Sequence, residues 1–451
     1  MNRSRFFSVL LRGIPCTLLA CLTLSASAQT SRAPAAAPCK NANHCSPEAV
    51  LGHTLVFERR AANPSSKSAA VASLSAAKTS SVPAAKAQHI QPLRYFVRDL
   101  GTLGGSESFA YALNLFTQIV GSSRTAGDAA THSFIYTNGQ MSDLAPLNSG
   151  DILTVGPTGI NFWGQVASGA IFNGVYQPAV FDPRTHHLTP LGTLGGVTSF
   201  GFNGVANSIN FFSDAVGYSY INDTTRHAFL YHRGSLTDLD PSGTGSVAYS
   251  INDSGLIAGF ASNSSGSAQA TVFRNGSGTD LDPVGLESYA RDVNNRSDVV
   301  GEYLIPDGSA FHAFVYSSGV FTDLGVSGSP EAVAYAINDL RQIAGTMFIP
   351  YQSICDRKPC TLFKPHAFTH LQGNNVDLNQ AIPQNSGWEL AWAFDINNLG
   401  NIVGYGTRGT DSFRAFLLTP AIDKDQCKSG AWKDLGFKNQ GNCVRYINTG
   451  K

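Results

Sequence analysis

Between residues 95 and 420 the chain alternates short apolar runs with turn residues, and the alternation repeats. The first unit is Ile-Asn, four variable residues, two apolar residues and usually Gly. It reads LNLFTQIVG from 113, INFWGQVAS from 160, INFFSDAVG from 209, INDSGLIAG from 251, VNNRSDVVG from 293, INDLRQIAG from 337 and INNLGNIVG from 396. Its asparagines are Asn114, Asn161, Asn210, Asn252, Asn294, Asn338 and Asn397. A second unit follows in each copy: HSFIY, QPAVF, HAFLY, QATVF, HAFVY, HAFTH and RAFLL. A third unit, centred on Asp-Leu or Pro-Leu, closes the first six copies and is missing directly after RAFLLTP.

Each copy predicts four short antiparallel strands. The first ends at the asparagine, the second is the GLIAG-type run, the third holds His-Ala-Phe, and the fourth carries Asp-Leu. Asn, Asp, Ser and Gly supply the turns between them. Four strands in roughly 40 to 50 residues is the signature of a propeller blade. A helical array would show a 3.6-residue period, which is absent. The expectation is an all-β fold, a seven-bladed β-propeller of four-stranded antiparallel blades.

One column supports the wedge shape of such blades. Four places before the asparagines stand Ala110, Pro157, Ala206, Ala248, Ala290, Ala334 and Ala393. Small residues suit an innermost strand where blades converge; Phe134, Phe229, Phe314, Phe368 and Phe416 suit the wider region outside it. A ring must also be closed, or strand edges stay exposed. YFVRDLGTLGG from 95 is a fourth strand without a repeat, and the seventh copy lacks one. Residues 95–100 are therefore expected to complete the last blade, with WKDLG at 432–436 as a rival.

The ends add a compartment. Residues 1–28 combine Arg3, Arg5 and Arg12 with an apolar stretch and Ala26-Ser27-Ala28, the pattern of an export signal. LLAC at 18–21 also offers a lipid-anchor site at Cys21, but the regular site at Ala28 favours simple cleavage. Residues 29–92 read as an Ala/Ser/Pro-rich linker, 93–422 as the propeller and 423–451 as a Cys-bounded tail. No other run is apolar enough to span a bilayer. The six cysteines outside the signal fall in near pairs, Cys39 with Cys45, Cys355 with Cys360, and Cys427 with Cys443. In an exported protein these are expected to form local disulfides. Localisation is thus expected to be secreted, periplasmic or at the cell surface.

The repeat resembles the bacterial extracellular proteins of the HAF family, named for His-Ala-Phe in the second unit, over about residues 95–420. The resemblance implies a secreted repeat protein and attaches no biochemical activity to it. The tail resembles short Cys-bounded ends of other exported bacterial proteins.

Candidate chemistry is sparse. The formal net charge is +0 and charged residues are 14% of the chain, which argues against a nucleic-acid surface. No G-x-S-x-G elbow, HExxH, P-loop or calcium loop occurs, so neither metal nor cofactor is expected. The second-unit column holds His132, Gln177, His227, Gln269, His312, His366 and Arg414. All can donate a hydrogen bond, but only some keep imidazole chemistry. Bonds to backbone carbonyls at the blade corners are therefore favoured over a ring of ligands. The asparagines are expected to hold tight turns, tolerating left-handed backbone and bonding nearby amides; the third-unit aspartates to cap amides or meet a donor.

Departures from the repeat suggest where binding sits. In the sixth copy the segment from 345 to 366 is unusually long, and the following NQAIPQNSGWELAW is long too, on the same face of the adjoining blade. Tyr351, Arg357, Lys358, Trp388 and Trp392 are the binding candidates there. The expected function is a non-catalytic, monomeric exported scaffold for an envelope or extracellular saccharide, polymer or protein. The alternatives are a propeller-type polysaccharide hydrolase or lyase, favoured if carboxylates converge at the channel mouth, and a purely structural surface protein.

Overall fold

The computed structural model describes residues 93–450, apart from 145–151, 154–156, 173–174, 197, 199–201, 283–284, 327, 356–357 and 410–411. The expected export signal and linker, with Cys21, Cys39 and Cys45, and Arg357 lie outside the described residues, as do the side chains of Cys355 and Lys358. Among the described residues no helix is long and apolar enough to cross a membrane.

Seven antiparallel sheets form a ring, a seven-bladed β-propeller. The fourth blade is typical, with strands Ser246–Ile251, Ile257–Ser262, Ala268–Arg274 and Ser277–Asp280 running outward from the axis. In the second blade the innermost strand is broken into Ile152–Leu153 and Gly159–Ile160, both paired with Val166–Phe172. Pro157, the one exception in the alanine column, sits in that break; it has no N–H to give a ladder.

A single cross-strand row explains the repeat. Ala290 faces Gly301, Gly301 faces Phe314, and Phe314 faces Asp323. The same row reads Ala206, Gly217, Phe229, Asp238 and Ala334, Gly345, Phe368, Asp377. The alanines and phenylalanines are fully buried. A Cβ on Gly301 would lie 1.8 Å from the Tyr289 carbonyl oxygen, and on Gly345 2.1 Å from that of Val333, so no side chain fits. The Phe rings occupy the room the glycines leave: Phe368 atoms would stand 2.6 Å from a Gly345 Cβ. After the alanine the inner strand bulges by one residue in six blades. Bulged residues from neighbouring blades meet: Phe394 lies 5.9 Å from Tyr111 and 5.1 Å from Tyr335, centroid to centroid.

Ring closure follows the sequence expectation. Tyr95–Asp99 pairs antiparallel with Phe413–Pro420, from Tyr95 opposite Pro420 to Asp99 opposite Phe416, and is the outer strand of the seventh blade. The rival segment is no strand: Ala431–Asp434 is a short helix in the tail. That tail carries the expected Cys427–Cys443 disulfide and a helix Gln440–Thr449. It packs on the closing strand, with Phe96 against Phe437 and Tyr446. The Tyr446 hydroxyl is 2.8 Å from both the Tyr95 and the Ala381 carbonyl oxygens.

Candidate functional site

The asparagine turns build one face of the ring. In each, the Asn Oδ1 accepts the amides two and four residues on, as Asn252 does from Ser254 and Leu256 at 3.0 and 2.9 Å. The left-handed residue is not the asparagine but the third after it, such as Thr117, Ser213, Ser297 and Arg341, or Gly255 and Gly400. That frees the Asn amide nitrogen to leave its own blade. Asn114 donates to the Asn161 carbonyl, Asn161 to Asn210, Asn210 to Asn252, Asn252 to Asn294, Asn294 to Asn338, Asn338 to Asn397, and Asn397 back to Asn114, all at 2.9–3.2 Å. The asparagines form an unbroken hydrogen-bonded ring about the axis.

Inside that ring is a pocket of about 330 Å³ to which all seven blades contribute. Its rim has two halves, set by the residue after each asparagine. On blades four to seven these are Asp253, Asn295, Asp339 and Asn398, and each side chain accepts the backbone amide of the preceding blade's rim residue at 2.8–2.9 Å. On blades one to three they are Leu115, Phe162 and Phe211, followed by Phe116, Trp163 and Phe212. These six are 37–65% exposed, and their aromatic rings touch in series. Phe116 meets Phe162 at 4.9 Å, Trp163 meets Phe211 at 5.1 Å, and Phe211 meets Phe212 at 5.3 Å. The Trp163 indole N–H donates to the Phe211 carbonyl at 2.9 Å, which fixes its ring. This continuous exposed aromatic patch stands apart from the singly scattered apolar residues of an ordinary surface.

Two carboxylates stand deeper, on the inner strands. Asp292 accepts from the Ser250 hydroxyl at 2.5 Å and the Ile337 amide at 2.8 Å; Asp395 accepts from the Leu113 and Ile396 amides at 2.8 and 2.7 Å. Each therefore ties its blade to the next. Burial raises the pKa of both, and for Asp395, with the neighbouring charge of Asp292 adding to it, up to about 7.

The histidine column is not aimed at this pocket. His132, His227, His312 and His366 place Nδ1 2.8–2.9 Å from Asp143, Asp238, Asp323 and Asp377 of the adjoining outer strand. Backbone carbonyls were the expected partners; for the histidines the carboxylates take that place, while Gln269 does bond carbonyls, those of Ala268 and Leu286. Burial opposes ionisation of Asp377, yet the bonds from His366 and from the amide of Asn379 hold its pKa below the ordinary range. Among the described residues no group of His, Cys, Asp and Glu is arranged to hold a metal.

The expected binding loops lie on the opposite face. Apart from 356–357, residues 345–366 belong to two long antiparallel strands, Ile343–Cys355 and Lys358–Leu371, paired from Ile343 opposite His370 to Cys355 opposite Lys358. Tyr351 sits within it opposite Leu362, and Cys360 is disulfide-bonded. Trp392 is 5% exposed and stacked on Tyr405 at 4.9 Å; Trp388 packs edge-on against Phe416. Trp392 is thus buried in packing while Trp388 is half-buried, and among the described residues no ring contact joins either to Tyr351. The arc on blades one to three was within reach of the sequence. The pair after each asparagine is Leu-Phe, Phe-Trp and Phe-Phe in three successive repeats, then Asp-Ser and Asn-Arg.

No protein-family model matches the sequence, and no curated protein matches it significantly. Solved propeller structures are similar in overall fold. TolB from Acinetobacter baumannii shares 13% identity over 50% of this chain and 61% of its own, with a TM-score of 0.35. The β-propeller domain of the Trilobed protease from Pyrococcus furiosus shares 10% over 69% and 93%, with a TM-score of 0.44. Oligogalacturonate lyase from Vibrio parahaemolyticus shares 8% over 72% and 93%, with a TM-score of 0.39. The chain thus spans under two thirds of the length of TolB. At these identities and scores the likenesses bear on neither activity nor ligand.

Proposed function

We propose that the chain is an exported HAF-type repeat protein whose propeller is a non-catalytic scaffold, holding a saccharide on the face of the asparagine turns. The observation that supports this most is the two-sided pocket rim. Exposed aromatic rings offer flat faces to the C–H face of a sugar ring, and the amide and carboxylate arc opposite offers acceptors and donors to its hydroxyls. The scaffold beneath is rigid, because every turn is bonded both to itself and to the next blade. Calorimetric titration against a panel of oligosaccharides tests the reading. Binding by the intact protein and its loss on joint replacement of Phe162 and Trp163 by Ala is the expected result; undiminished binding by that variant refutes this location.

One observation favours a second reading, a hydrolase or lyase acting on polysaccharide. Four carboxylates line the pocket, and Asp395 has a pKa near neutrality. Release of reducing ends from a bound polysaccharide, abolished by Asp395→Asn, would establish it. Against it, Asp292 and Asp395 already hold backbone amides of the next blade, a structural use of both side chains.

A further inference from the structure

The pocket on the axis is lined by Asp253, Asp292, Asp339 and Asp395 and by no Lys, Arg or His. Among the described residues none of the four pairs with a cation. Asp253 bonds the Phe211 amide and the Asn295 side-chain amide; Asp339 bonds those of Asn295 and Asn398. Partners of Asp292 and Asp395 are amides and one hydroxyl, as above. Elsewhere in the molecule prominent carboxylates do meet guanidinium groups: Glu302 with Arg291, Asp298 with Arg341, Asp99 with Arg408 and Arg414. Arg296, next to the rim residue Asn295, points its Nη1 to the Asp339 carbonyl and is outside the pocket lining. With burial holding Asp292 and Asp395 towards the protonated form, it is Asp253 and Asp339 on the rim that give the mouth uncompensated negative charge, which attracts cations and repels anions, most strongly at low salt. The aromatic arc beside it adds the preference of π faces for positive charge.

Building on the saccharide-binding reading, we propose that this mouth selects a cationic saccharide, an oligomer of amino sugars with free ammonium groups, over its neutral and acidic counterparts. Sugar rings stack on Phe162 and Trp163, while an ammonium group enters the pocket between Asp253 and Asp339. Each of those carboxylate oxygens takes one protein hydrogen bond and keeps an acceptor site for the ligand.

The test compares tetramers of glucosamine, N-acetylglucosamine and galacturonic acid on the full chain, at about pH 6 where a free amine is protonated. The expected result is an affinity about tenfold or more higher for the glucosamine tetramer than for the acetylated one, no measurable binding of the galacturonate, and a ratio that shrinks as salt is raised. The double variant Asp253→Asn, Asp339→Asn should bring that ratio towards one. It is expected to fold, since Asn295 and Asn398 occupy the same position in blades five and seven. Equal or better binding of the acetylated or acidic tetramer overturns the charge selection and leaves saccharide binding standing. An unchanged ratio in the double variant overturns the assignment to these carboxylates. Failure of all three tetramers, and of the wider panel, overturns both readings.

Discussion

The Arg414 guanidinium lies 3.2 Å from the carboxylate of Asp99, 315 residues away in sequence. In four other blades the same pairing joins residues 11 apart, a second-unit histidine and a third-unit aspartate. The last blade thus obeys the repeat, but its two halves come from opposite ends of the propeller. Asp99 also bonds Arg408 and accepts the Gly101 amide. Replacing Asp99 by Ala should destabilise the propeller by about 1–3 kcal/mol, the range for losing charge-assisted bonds at a partly buried site. Deleting residues 95–105 removes the strand itself and should lower the melting temperature on the order of 10 °C or more. Calorimetric scans of both variants decide this; a truncated protein that melts with the parent would disprove closure by this strand.

The asparagine ring makes a separable prediction. Asn252→Asp keeps the Oδ1 that accepts Ser254 and Leu256 but loses the donor to Asn294 when ionised. The loss should amount to about 1–2 kcal/mol in urea unfolding at neutral pH, whereas Asn252→Ala, which removes the turn bonds as well, should cost about 2–4 kcal/mol. Equal effects would mean that the inter-blade bond adds nothing beyond the turn.

How much of this was legible in the sequence follows from what repeats. Residues that recur in most blades announced themselves: the alanine beside the axis, the glycine beside it that tolerates no Cβ, the phenylalanine above that glycine, and the fourth strand stranded at 95. Partners were harder. His227 and Asp238 occur in fixed order, yet only the hairpin register shows that they meet, because a third-unit aspartate has several donors within reach. The long segment in the sixth repeat drew attention as an insertion, but its length extended two paired strands. The aromatic arc on blades one to three, though written in the sequence, was easier to overlook for the opposite reason. Phe162, Trp163, Phe211 and Phe212 alter no spacing and lie next to the conserved-looking asparagine pattern, so they pass for apolar strand ends until the turns are seen in three dimensions.

The tail should behave as a latch on the closing strand. The Tyr446 hydroxyl shares its one proton between two carbonyls within 2.8 Å, one on the strand and one at Ala381, and Arg94 donates to the Ile447 carbonyl. Tyr446→Phe should cost about 1–3 kcal/mol, since a buried carbonyl is left without its donor. Cys443→Ser opens a loop of 16-residue separation and should cost about 3 kcal/mol or less on chain-entropy grounds. Limited proteolysis followed by mass spectrometry is the readout. Cleavage should begin in the tail and then reach residues 93–100; a tail that is trimmed while the closing strand stays protected and the melting point unmoved would show it to be a passive appendage.

Asp395 gives the molecule an unusual dependence on pH. Its folded-state pKa, about 7, stands above the ordinary carboxylate value near 4 that it takes when unfolded. The folded state therefore binds the proton more tightly. Its contribution to stability is fully present below about pH 4, fades as the pH rises towards 7, and is absent above it. Carboxylates such as Asp323 and Asp377, whose pKa values are lowered in the fold, act in the other direction, and only below about pH 4. Between pH 8 and pH 5 the Asp395 effect should prevail, and urea midpoints should rise as the solution is acidified. In Asp395→Asn, which cannot titrate, that rise should be much reduced at whatever absolute stability the variant has. A parent protein whose midpoint falls over this interval, or a variant with the same slope as the parent, would remove Asp395 from the account.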